Sequence, residues 1–509
     1  MGQSVEVLFS DVGAFRLSDV QSWANGSVDR SVDAENGNDT ACARNSSLAC
    51  RTIAGAFASV AAGGAVGSVN VWLMPSATGG SIFPACNQSL NGGHVTIATS
   101  CGSQAAEVCA KAYVTCLGCT SCFITGPENT QLTLRGLSMS GTAGIAVQYT
   151  GSLTLDHVAM FNHSGVLAAN IPLDGSVSEA SGDLTCTSSS FSDNVLNTGG
   201  LVHAGPSAVL DACVFERNTL MSSATSALLD LAASDSGNGR INVTLTDSVF
   251  SQNFGAGKSL IVLVNDMDTI IAQNSVFRDN AASGIAVFIQ TYNLPSDSVP
   301  ATIFASNASW INNTATSDDS GNLFVHGSSV ASFGISVKVN NCFFASNWAT
   351  QGGALIVFAF SKNANAVSIN GSRFERNMAH SDGGALLMLS SVYGNHRHLG
   401  SADAVAQSIA LSDVSFFENV AGGSGGSAAF YVGSSTISTI NVSMSSNVAG
   451  RDGGAVAVFQ SAESTWNMKG CSFTDNSAQG TGGAVSLRDS TSGVLWESSV
   501  FHHLSLIHI

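Results

Sequence analysis

Charged residues and proline are both scarce in this sequence. Asp, Glu, Lys and Arg together make up 10% of its 509 residues, and there are 7 prolines. Disordered chains are rich in charge and proline, so this composition excludes extensive disorder. Helical bundles need abundant Glu, Lys and Leu. The 53 glycines, with many Ser and Asn residues, are instead typical of short strands joined by tight turns.

Positive charge is especially scarce. The chain has 18 Lys and Arg against 35 Asp and Glu, which gives a formal net charge of −17. Nucleic-acid binding needs a basic surface that displaces counterions from phosphates, whereas the cations here are scattered singly. The sequence therefore excludes nucleic acid as a partner and disfavours polybasic attachment to anionic membranes.

Long hydrophobic runs are missing as well. No stretch reaches the roughly 18 to 20 apolar residues that cross a bilayer, so we expect no transmembrane segment within this sequence. Residues 1–6 lack the basic segment that begins a signal peptide. We expect the natural protein to begin upstream of Met1.

Cysteine, in contrast, is concentrated. Eight of the 12 lie between positions 42 and 122, and this dense, even-numbered cluster is typical of a disulfide framework in an extracellular or cell-surface protein. Cys42 and Cys50 bracket a short loop and are the candidate disulfide. The spacing of Cys116, Cys119 and Cys122 also suits a zinc or iron–sulfur site. No second Cys-x-x-Cys or nearby His completes such a site, so we predict no metal and no cofactor.

A four-residue phrase, Phe-x-x-Asn, recurs through the C-terminal two-thirds of the chain, with Trp and Met each replacing Phe once. Successive copies are mostly 24 to 35 residues apart, with one gap of 42. This period is typical of stacked units that contact only their neighbours. The Asn residues of the ten copies, the predicted turn ladder, are Asn194, Asn218, Asn253, Asn280, Asn313, Asn347, Asn377, Asn419, Asn447 and Asn476.

Each position of the repeat has a role in folding. Equivalent residues of stacked parallel units lie about 4.8 Å apart, so the repeated Phe predicts a buried aromatic stack. We expect each Asn to adopt the left-handed conformation and to bond its own backbone and the next Asn. The apolar runs between the phrases are short and rich in Val, Ile and Phe, which predicts strands.

A second phrase, Gly-Gly-Ala, follows the later Asn residues by about six positions. Two glycines permit a positive φ at a sharp corner where a Cβ would clash, and Ala keeps the corner small. One looser copy has Ser427 in place of Ala. The glycine pairs are Gly352-Gly353, Gly383-Gly384, Gly425-Gly426, Gly453-Gly454 and Gly482-Gly483.

The combined phrases resemble the repeats of the chlamydial polymorphic outer membrane proteins, which also occur in protist surface proteins. The resemblance covers about residues 191–501. It implies a right-handed parallel β-helix and an adhesin-like protein that is secreted or exposed at the cell surface.

The N-terminal region is similar to the opening of many pectate-lyase-like β-helix proteins. An acidic turn precedes Cys50 and an Ala-rich stretch in which Ile53, Phe57 and Val60 recur at helical spacing, with Thr52 as N-cap. The similarity implies that this helix covers the first rung and blocks edge-to-edge association. The predicted fold class is all-β, a right-handed parallel β-helix (solenoid) with a short N-terminal capping helix.

Acidic pairs and a His pair are the remaining candidates for chemistry. β-Helix enzymes acting on acidic polysaccharides need clustered carboxylates, for Ca²⁺ or for acid–base catalysis. Here the acidic pairs are typical of a solvated turn and a strand end, and the His pair lacks a third metal ligand. We therefore predict no catalytic, cofactor-binding or metal-binding residues. The pairs are Asp318 and Asp319, Asp266 and Asp268, and His396 and His398.

Two loops, residues 390–404 and 292–300, are the preferred contact regions, because function on a rigid scaffold usually resides in projecting loops. Asn-x-Ser/Thr acceptors are about as frequent as chance allows in a chain so rich in Ser and Thr, so they do not establish secretion. They begin at Asn25, Asn38, Asn45, Asn87, Asn162, Asn242, Asn307, Asn312, Asn370 and Asn441.

The predicted divisions are residues 1–68 (N-terminal segment and cap), 69–190 (first, Cys-rich rungs), 191–503 (repeats) and 504–509. Phe501 begins another phrase, yet Leu504 stands where its Asn should fall. The last six residues resemble a translated sequencing adapter. We expect the natural protein to continue past His503.

The predicted function is that of a non-catalytic, adhesin-like extracellular or cell-surface protein that contacts glycans or matrix proteins. A pectate-lyase-like enzyme, either a polysaccharide lyase or a glycoside hydrolase, is one alternative that rests on the fold alone. A structural spacer of a larger membrane-anchored protein is the other. Converging carboxylates with an Arg on adjacent rungs would favour the enzyme.

Overall fold

A computed structural model describes the chain as a series of short parallel strands. The contacts group the chain into two compact units, Met1–Ser222 with Leu228–Gly239, and Ser223–Ala227 with Arg240–Ile509. The described residues are 27–44, 48–56, 68–74, 82–84, 88–90, 93–100, 111–115, 121–125, 131–141, 145–149, 151–164, 168–170, 183–196, 202–204, 207–221, 227–231, 242–255, 262–264, 269–282, 286–288, 301–316, 321–327, 335–359, 365–390, 407–433, 435–460, 464–488 and 493–504.

Each circuit of the chain, a rung, adds strands to stacks that we number 1 to 4 in the order in which a rung visits them. In unit 1, stack 1 comprises Ser27–Val32, Ser68–Leu73, His94–Thr99, Gln131–Arg135, Ser152–Asp156, Leu184–Thr187 and Ser207–Asp211. Stack 2 comprises Ile82–Pro84, Ala112–Thr115, Leu137–Ser140, Ala159–Phe161, Ser190–Ser192 and Val214–Glu216. Stack 3 comprises Val195–Leu196 and Thr219–Leu220. Stack 4 comprises Gln88–Leu90, Ser121–Thr125, Ile145–Tyr149, Ala168–Asn170, Val202–Ala204 and Leu229–Leu231.

Unit 2 repeats this order. Its stack 1 comprises Asn242–Thr246, Thr269–Gln273, Ala301–Ser306, Ile335–Asn340, Asn365–Asn370, Gln407–Ser412, Ser435–Ile440, Thr465–Lys469 and Gly493–Glu497. Stack 2 comprises Val249–Ser251, Val276–Arg278, Ser309–Ile311, Phe343–Ala345, Arg373–Glu375, Ser415–Phe417, Ser443–Ser445, Ser472–Thr474 and Val500–His502. Stack 3 comprises Phe254–Gly255, Ala281–Ala282, Thr314–Ala315, Trp348–Ala349, Met378–Ala379, Val420–Ala421, Val448–Ala449 and Ser477–Ala478. Stack 4 comprises Ala286–Phe288, Gly321–Gly327, Leu355–Ala359, Leu386–Ser390, Ala428–Val432, Val456–Gln460 and Val485–Arg488, and a further strand is Val262–Val264.

The strands pair in parallel and in register from rung to rung. In stack 2, for example, Phe344 lies opposite Phe374, which lies opposite Phe416. The fold is a right-handed parallel β-helix, which confirms the predicted fold class. The divisions proposed after residues 68 and 190 stay predictions.

A short α-helix in the N-terminal region, Asp39–Arg44, is not indicated by the sequence pattern. A helical turn at residues 53–56 begins where the sequence predicts. Thr52 is its N-cap, because its Oγ1 accepts the backbone N–H of Gly55 at 2.8 Å. The rest of that predicted helix lies outside the described residues.

The repeated aromatic residues form a buried stack. In unit 1, the rings of Phe191 and Phe215 lie 4.6 Å apart. In unit 2, successive ring centroids are between 4.7 and 5.2 Å apart and their planes are nearly parallel. This offset geometry adds to the energy of burying the rings. The unit 2 stack comprises Phe250, Phe277, Trp310, Phe344, Phe374 and Phe416.

The ten repeated Asn residues lie beside this stack, each at most 1% exposed. Asn377 is representative. Its Oδ1 accepts the backbone N–H and the Nδ2–H of Asn347 at 3.1 and 2.9 Å. Its Nδ2 donates to Oδ1 of Asn419 and to the carbonyl oxygen of Phe344, both at 3.0 Å. Both hydrogens of the buried amide are therefore satisfied, which removes the cost of desolvating them.

The left-handed conformation belongs to the residue before each Asn, and the expectation that Asn itself adopts it was wrong. These preceding residues have φ between 51° and 57°. The Asn side chain must point into the core to bond both neighbouring rungs, so the positive-φ turn between stacks 2 and 3 falls one residue earlier. The positive-φ residues are Asp193, Arg217, Gln252, Asp279, Asn312, Ser346, Arg376, Glu418, Ser446 and Asp475.

His163 occupies the ladder position one rung before Asn194. Its backbone N–H donates to Oδ1 of Asn194 at 3.0 Å, and its Nε2 lies 3.2 Å from the carbonyl oxygen of Met139. Asn194 in turn donates to the carbonyl oxygen of Met160. His163 is 1% exposed, and burial lowers its pKa to about 4 despite its bond to Met139.

Because His163 is buried in its neutral form, we expect the free energy of unfolding to fall in acid. Between its unfolded pKa near 6.5 and its folded pKa near 4, protons bind the unfolded chain more strongly. Stability contributed by neutral His163 is therefore complete above about pH 6.5 and falls by about 3 kcal/mol as pH drops to about 4. We expect His163→Asn to remove this component in urea titrations at a series of pH values. An unchanged pH dependence in that variant would contradict the assignment.

The two glycines of each corner meet different requirements. The first has a positive φ, for example 67° at Gly383. The second approaches the next rung closely, because a Cβ on Gly384 would overlap the carbonyl oxygen of Gly426 and the backbone of Val420. A side chain is thus excluded at the first position by conformation and at the second by contact between rungs.

Ser427 occupies the position that Ala fills in the other corners. It is fully buried, and the described residues offer its hydroxyl no hydrogen-bond partner. We expect Ser427→Ala to raise the free energy of unfolding by about 1 kcal/mol, because it removes an unsatisfied buried hydroxyl. Urea denaturation should show this. The reciprocal change Ala385→Ser should destabilise the protein, and equal midpoints for both variants would contradict the explanation.

Candidate functional site

The structure brings the predicted turn-ladder residues together but leaves most other predicted sites untested. Cys42 and Cys50 form a disulfide with their Cα atoms 5.1 Å apart. The acidic pairs at 266/268 and 318/319, the His pair at 396/398, and residues 292–300 and 391–404 lie outside the described residues. So do Cys116 and Cys119, and the side chain of Cys122.

A second disulfide, which the sequence interpretation did not propose, joins Cys186 and Cys213 across neighbouring rungs. Their Cα atoms are 6.7 Å apart and their separation of 27 residues is about one circuit of the chain. Cys342 and Cys471 carry free, buried thiols. Burial raises the pKa of Cys342 to about 11, which keeps this thiol protonated and unreactive.

A polar cluster lies where the corners of unit 2 meet stack 4. The residue before each Gly-Gly pair forms a column, because the following Gly N–H donates to the carbonyl oxygen of the equivalent residue in the next rung. Two members of this column are carboxylates. The column comprises Gln351, Asp382, Ser424, Asp452 and Thr481.

Asp382 binds two groups of the next rung. Its Oδ1 accepts the backbone N–H of Ser424 at 2.5 Å, and its Oδ2 accepts the Tyr431 hydroxyl at 2.7 Å. Tyr431 is partly exposed and alternates with the buried Phe430 and Val432, so it lies on the outer face of stack 4. Burial and the neighbouring Asp382 carboxylate raise the pKa of Tyr431. The hydroxyl therefore stays protonated and continues to donate.

Asp452 repeats this arrangement two rungs later. Its Oδ1 accepts the backbone N–H and the hydroxyl of Thr481, both at 2.8 Å. Its Oδ2 lies 2.8 Å from a guanidinium nitrogen of Arg488. Burial opposes ionisation of Asp452, but the bonds from Thr481 and the charges of Arg488 and Arg451 outweigh it and lower its pKa. The carboxylate is therefore held ionised.

The side chains that bind these two carboxylates, Tyr431 and Arg488, both contact the Phe459 ring. The Tyr431 and Phe459 rings are stacked with their centroids 4.4 Å apart, and the Arg488 guanidinium lies 6.0 Å from the Phe459 centroid. A cation over an aromatic face at this distance is attracted by its quadrupole. On the same face of the stack, in the same and preceding rungs, lies an apolar cluster against which Tyr431 and Leu389 pack. The cluster comprises Ile356, Phe358, Leu387 and Ala429.

We call this surface the stack 4 patch. It presents the partly exposed Tyr431 ring, two charged guanidinium groups and the partly exposed Asp382, while Phe459 and Asp452 are buried. The Arg488 side chain is 52% exposed, and Arg451 is exposed, so both can bind an external anion or hydroxyl. The patch comprises Asp382, Tyr431, Arg451, Asp452, Phe459 and Arg488.

Two features are absent from the part of the chain that the structure describes. No three His, Cys, Asp or Glu side chains in that part are grouped to hold a metal ion. No helix in that part has the length and hydrophobicity needed to cross a bilayer.

No protein-family model matches the chain, and neither a curated protein nor a solved structure matches it. The stack 4 patch is the group of residues that sequence reasoning missed. A signal was available, because the residue before Gly-Gly is Asp in two of the five copies. The residue at that position is polar in all five copies but differs in chemical type, so it forms no recognisable motif.

Proposed function

We propose that this protein is an extracellular or cell-surface β-helix of the polymorphic outer membrane protein and pectate-lyase-like type, adhesin-like and non-catalytic. The repeats support this family resemblance. The disulfides Cys42–Cys50 and Cys186–Cys213 favour an oxidising compartment, where such bonds persist.

We further propose that the stack 4 patch contacts glycans. The observation that carries this proposal is the stacked Tyr431–Phe459 pair beside the Arg488–Asp452 ion pair. Sugar rings present C–H groups that can contact the exposed part of the Tyr431 ring, and their hydroxyls and carboxylates suit a few well-placed polar groups. Arg is especially suited to carboxylates, because its planar fork can donate two parallel hydrogen bonds.

A non-catalytic role is the better interpretation of these carboxylates. A general acid at neutral pH needs a raised pKa, whereas the pKa of Asp452 is lowered. Asp382 accepts bonds from Ser424 and Tyr431, so its oxygens serve the packing of neighbouring rungs.

A glycan array that includes acidic polysaccharides tests this proposal. We expect Arg488→Ala to weaken binding about tenfold, because it removes the charged fork from the patch. Lys469→Ala is the matched control, since Lys469 forms an exposed ion pair with Glu497 on stack 1. Urea denaturation of both variants checks that the fold is intact.

The same proteins, assayed for glycan binding and for cleavage, distinguish the alternative functions. Equal binding by both variants would show that the patch is not the site. Ca²⁺-dependent cleavage of polygalacturonate would replace the proposal with the polysaccharide-degrading enzyme. If the protein shows neither glycan binding nor cleavage, the structural spacer is the function that remains.

A further inference from the structure

Several corners of the β-helix present an exposed Asn with positive φ. Asn162, Asn307, Asn312 and Asn441 have φ between 51° and 55°, and all four are exposed. Each begins an Asn-x-Ser/Thr sequence. The hydroxyl residue then lies at or near the start of the following strand, as Ser309 does after Asn307.

The buried ladder Asn residues never begin such a sequence. The residue two positions after each of them points into the core and is Leu, Gly or Ala. Both Nδ2 hydrogens of a ladder Asn such as Asn377 are also used. The fold thus separates the Asn residues that hold the rungs together from those that start acceptor sequences.

The acceptors of unit 2 lie in stack 1 or at the corners that border stack 2. Asn242 begins a stack 1 strand and Asn370 ends one. Asn307 lies at the corner between stacks 1 and 2, as does Asn441, and Asn312 lies at the corner between stacks 2 and 3. No acceptor sequence of unit 2 falls in stack 4 or in the Gly-Gly corners.

We propose that the corner residues Asn162, Asn307, Asn312 and Asn441 carry N-linked glycans, and that the acceptors of unit 2 shield stacks 1 and 2 while leaving the stack 4 patch open. This inference rests on the proposed extracellular location. The donor is a lipid-linked diphosphate oligosaccharide and the catalyst is a secretory-pathway transferase. Nδ2 attacks the anomeric carbon, the bond from that carbon to the diphosphate oxygen breaks, and one Nδ2 proton is lost without any change in oxidation state.

The corner hydrogen bonds are compatible with this modification. Nδ2 of Asn312 donates one hydrogen to Oδ1 of Asp279 at 2.8 Å. Nδ2 of Asn441 donates to Oδ1 of Asp413 at 3.1 Å. A primary amide has two such hydrogens, so a glycosylated amide retains one for the neighbouring rung. The glycan then projects from an exposed corner into solvent.

Occupancy is tested by secreting the chain from eukaryotic cells behind a foreign signal peptide. The protein is then treated with peptide N-glycosidase in heavy-oxygen water, and its peptides are mapped by mass spectrometry. We expect label at the four corner Asn residues and none at the ten ladder Asn residues. Secreted protein with a β-rich circular dichroism spectrum but unlabelled corners would overturn the inference, whether or not the protein binds a glycan.

The proposal that the stack 4 patch is free of glycans is tested by introducing an acceptor sequence beside it. Gln479→Asn creates an acceptor sequence that ends on the native Thr481, and Gln479 is exposed beside the patch. We expect the occupied variant to bind its array ligand about tenfold more weakly, with recovery after enzymatic removal of the glycan. Removing the native glycans should leave binding unchanged. A large gain in binding after removal of the native glycans would contradict the proposed shielding pattern, but not the assignment of the stack 4 patch as the binding site.

Discussion

Asn377→Ala is expected to lower the free energy of unfolding of unit 2 by about 4 kcal/mol, because each unpaired buried donor costs about 1 to 3 kcal/mol. The change leaves the backbone N–H and one Nδ2–H of Asn347 without their acceptor, and the Phe344 carbonyl without its Nδ2 donor. The Asn419 oxygen retains its bond from the backbone of residue 377. Urea denaturation followed by circular dichroism measures the loss.

Arg376→Asn is the matched control for this variant. Arg376 precedes Asn377, is exposed and has φ of 51°, a conformation that Asn tolerates. It loses one of two ion pairs of Glu375, whose side chain is 9% exposed and which keeps Arg373 at 2.9 Å, so the expected loss is about 1 kcal/mol. Similar losses in the two variants would contradict the ladder as the source of stability. Because each rung contacts only its neighbours, a severe break can also split the unfolding of unit 2 into two transitions.

Gly384→Ala is the second large effect, with an expected loss of about 3 kcal/mol or more from forced overlap in a packed region. Its new Cβ would meet the Gly426 carbonyl oxygen and the Val420 backbone. These are main-chain atoms of the next rung, so a side-chain rotation cannot relieve the overlap. The urea midpoint should fall, and Tyr431 and Asp382 should lose their register.

Gly493→Ala is the control for this corner. Gly493 begins a stack 1 strand, and a Cβ there would have no heavy atom within 4 Å. Its stability should be unchanged or rise by a few tenths of a kcal/mol, since Ala has less freedom in the unfolded chain. A loss at Gly493 equal to that at Gly384 would contradict contact between rungs as the cause of the effect at Gly384.

The sequence was sufficient to predict the stacks, because Phe, Asn and Gly recur with constant chemistry at positions that folding restricts. It was insufficient to place the positive-φ turn between stacks 2 and 3. The positive-φ column contains Asp193, Arg217 and Gln252 among others, so no single residue type marks it. Asn, which favours that conformation, stands one position later for a different reason, since its amide joins three rungs.

Three further features could not be predicted from the repeated phrases: the ladder histidine, the second disulfide and the stack 4 patch. His163 completes the ladder after Met160 and so escapes a Phe-x-x-Asn pattern, although its 31-residue distance from Asn194 is within the repeat spacing. Cys186 and Cys213 are separated by one rung length, a signal that local cysteine spacing does not use. The stack 4 patch combines Asp382 and Tyr431, 49 residues apart, and depends on register that no single repeat encodes.

The Asn ladder also has a direction. Within unit 2, from Asn280 onward, each Oδ1 accepts from the rung before it, as Asn313 does from Asn280 and Asn347 does from Asn313. The amide carbonyls therefore all point towards the N-terminal rungs, and each bond polarises the next. Their dipoles add as the peptide dipoles of a helix do, with the positive end at the later rungs. The line of side-chain amides is thus a buried electrostatic axis, and reversing one amide within it would oppose the field of all the others.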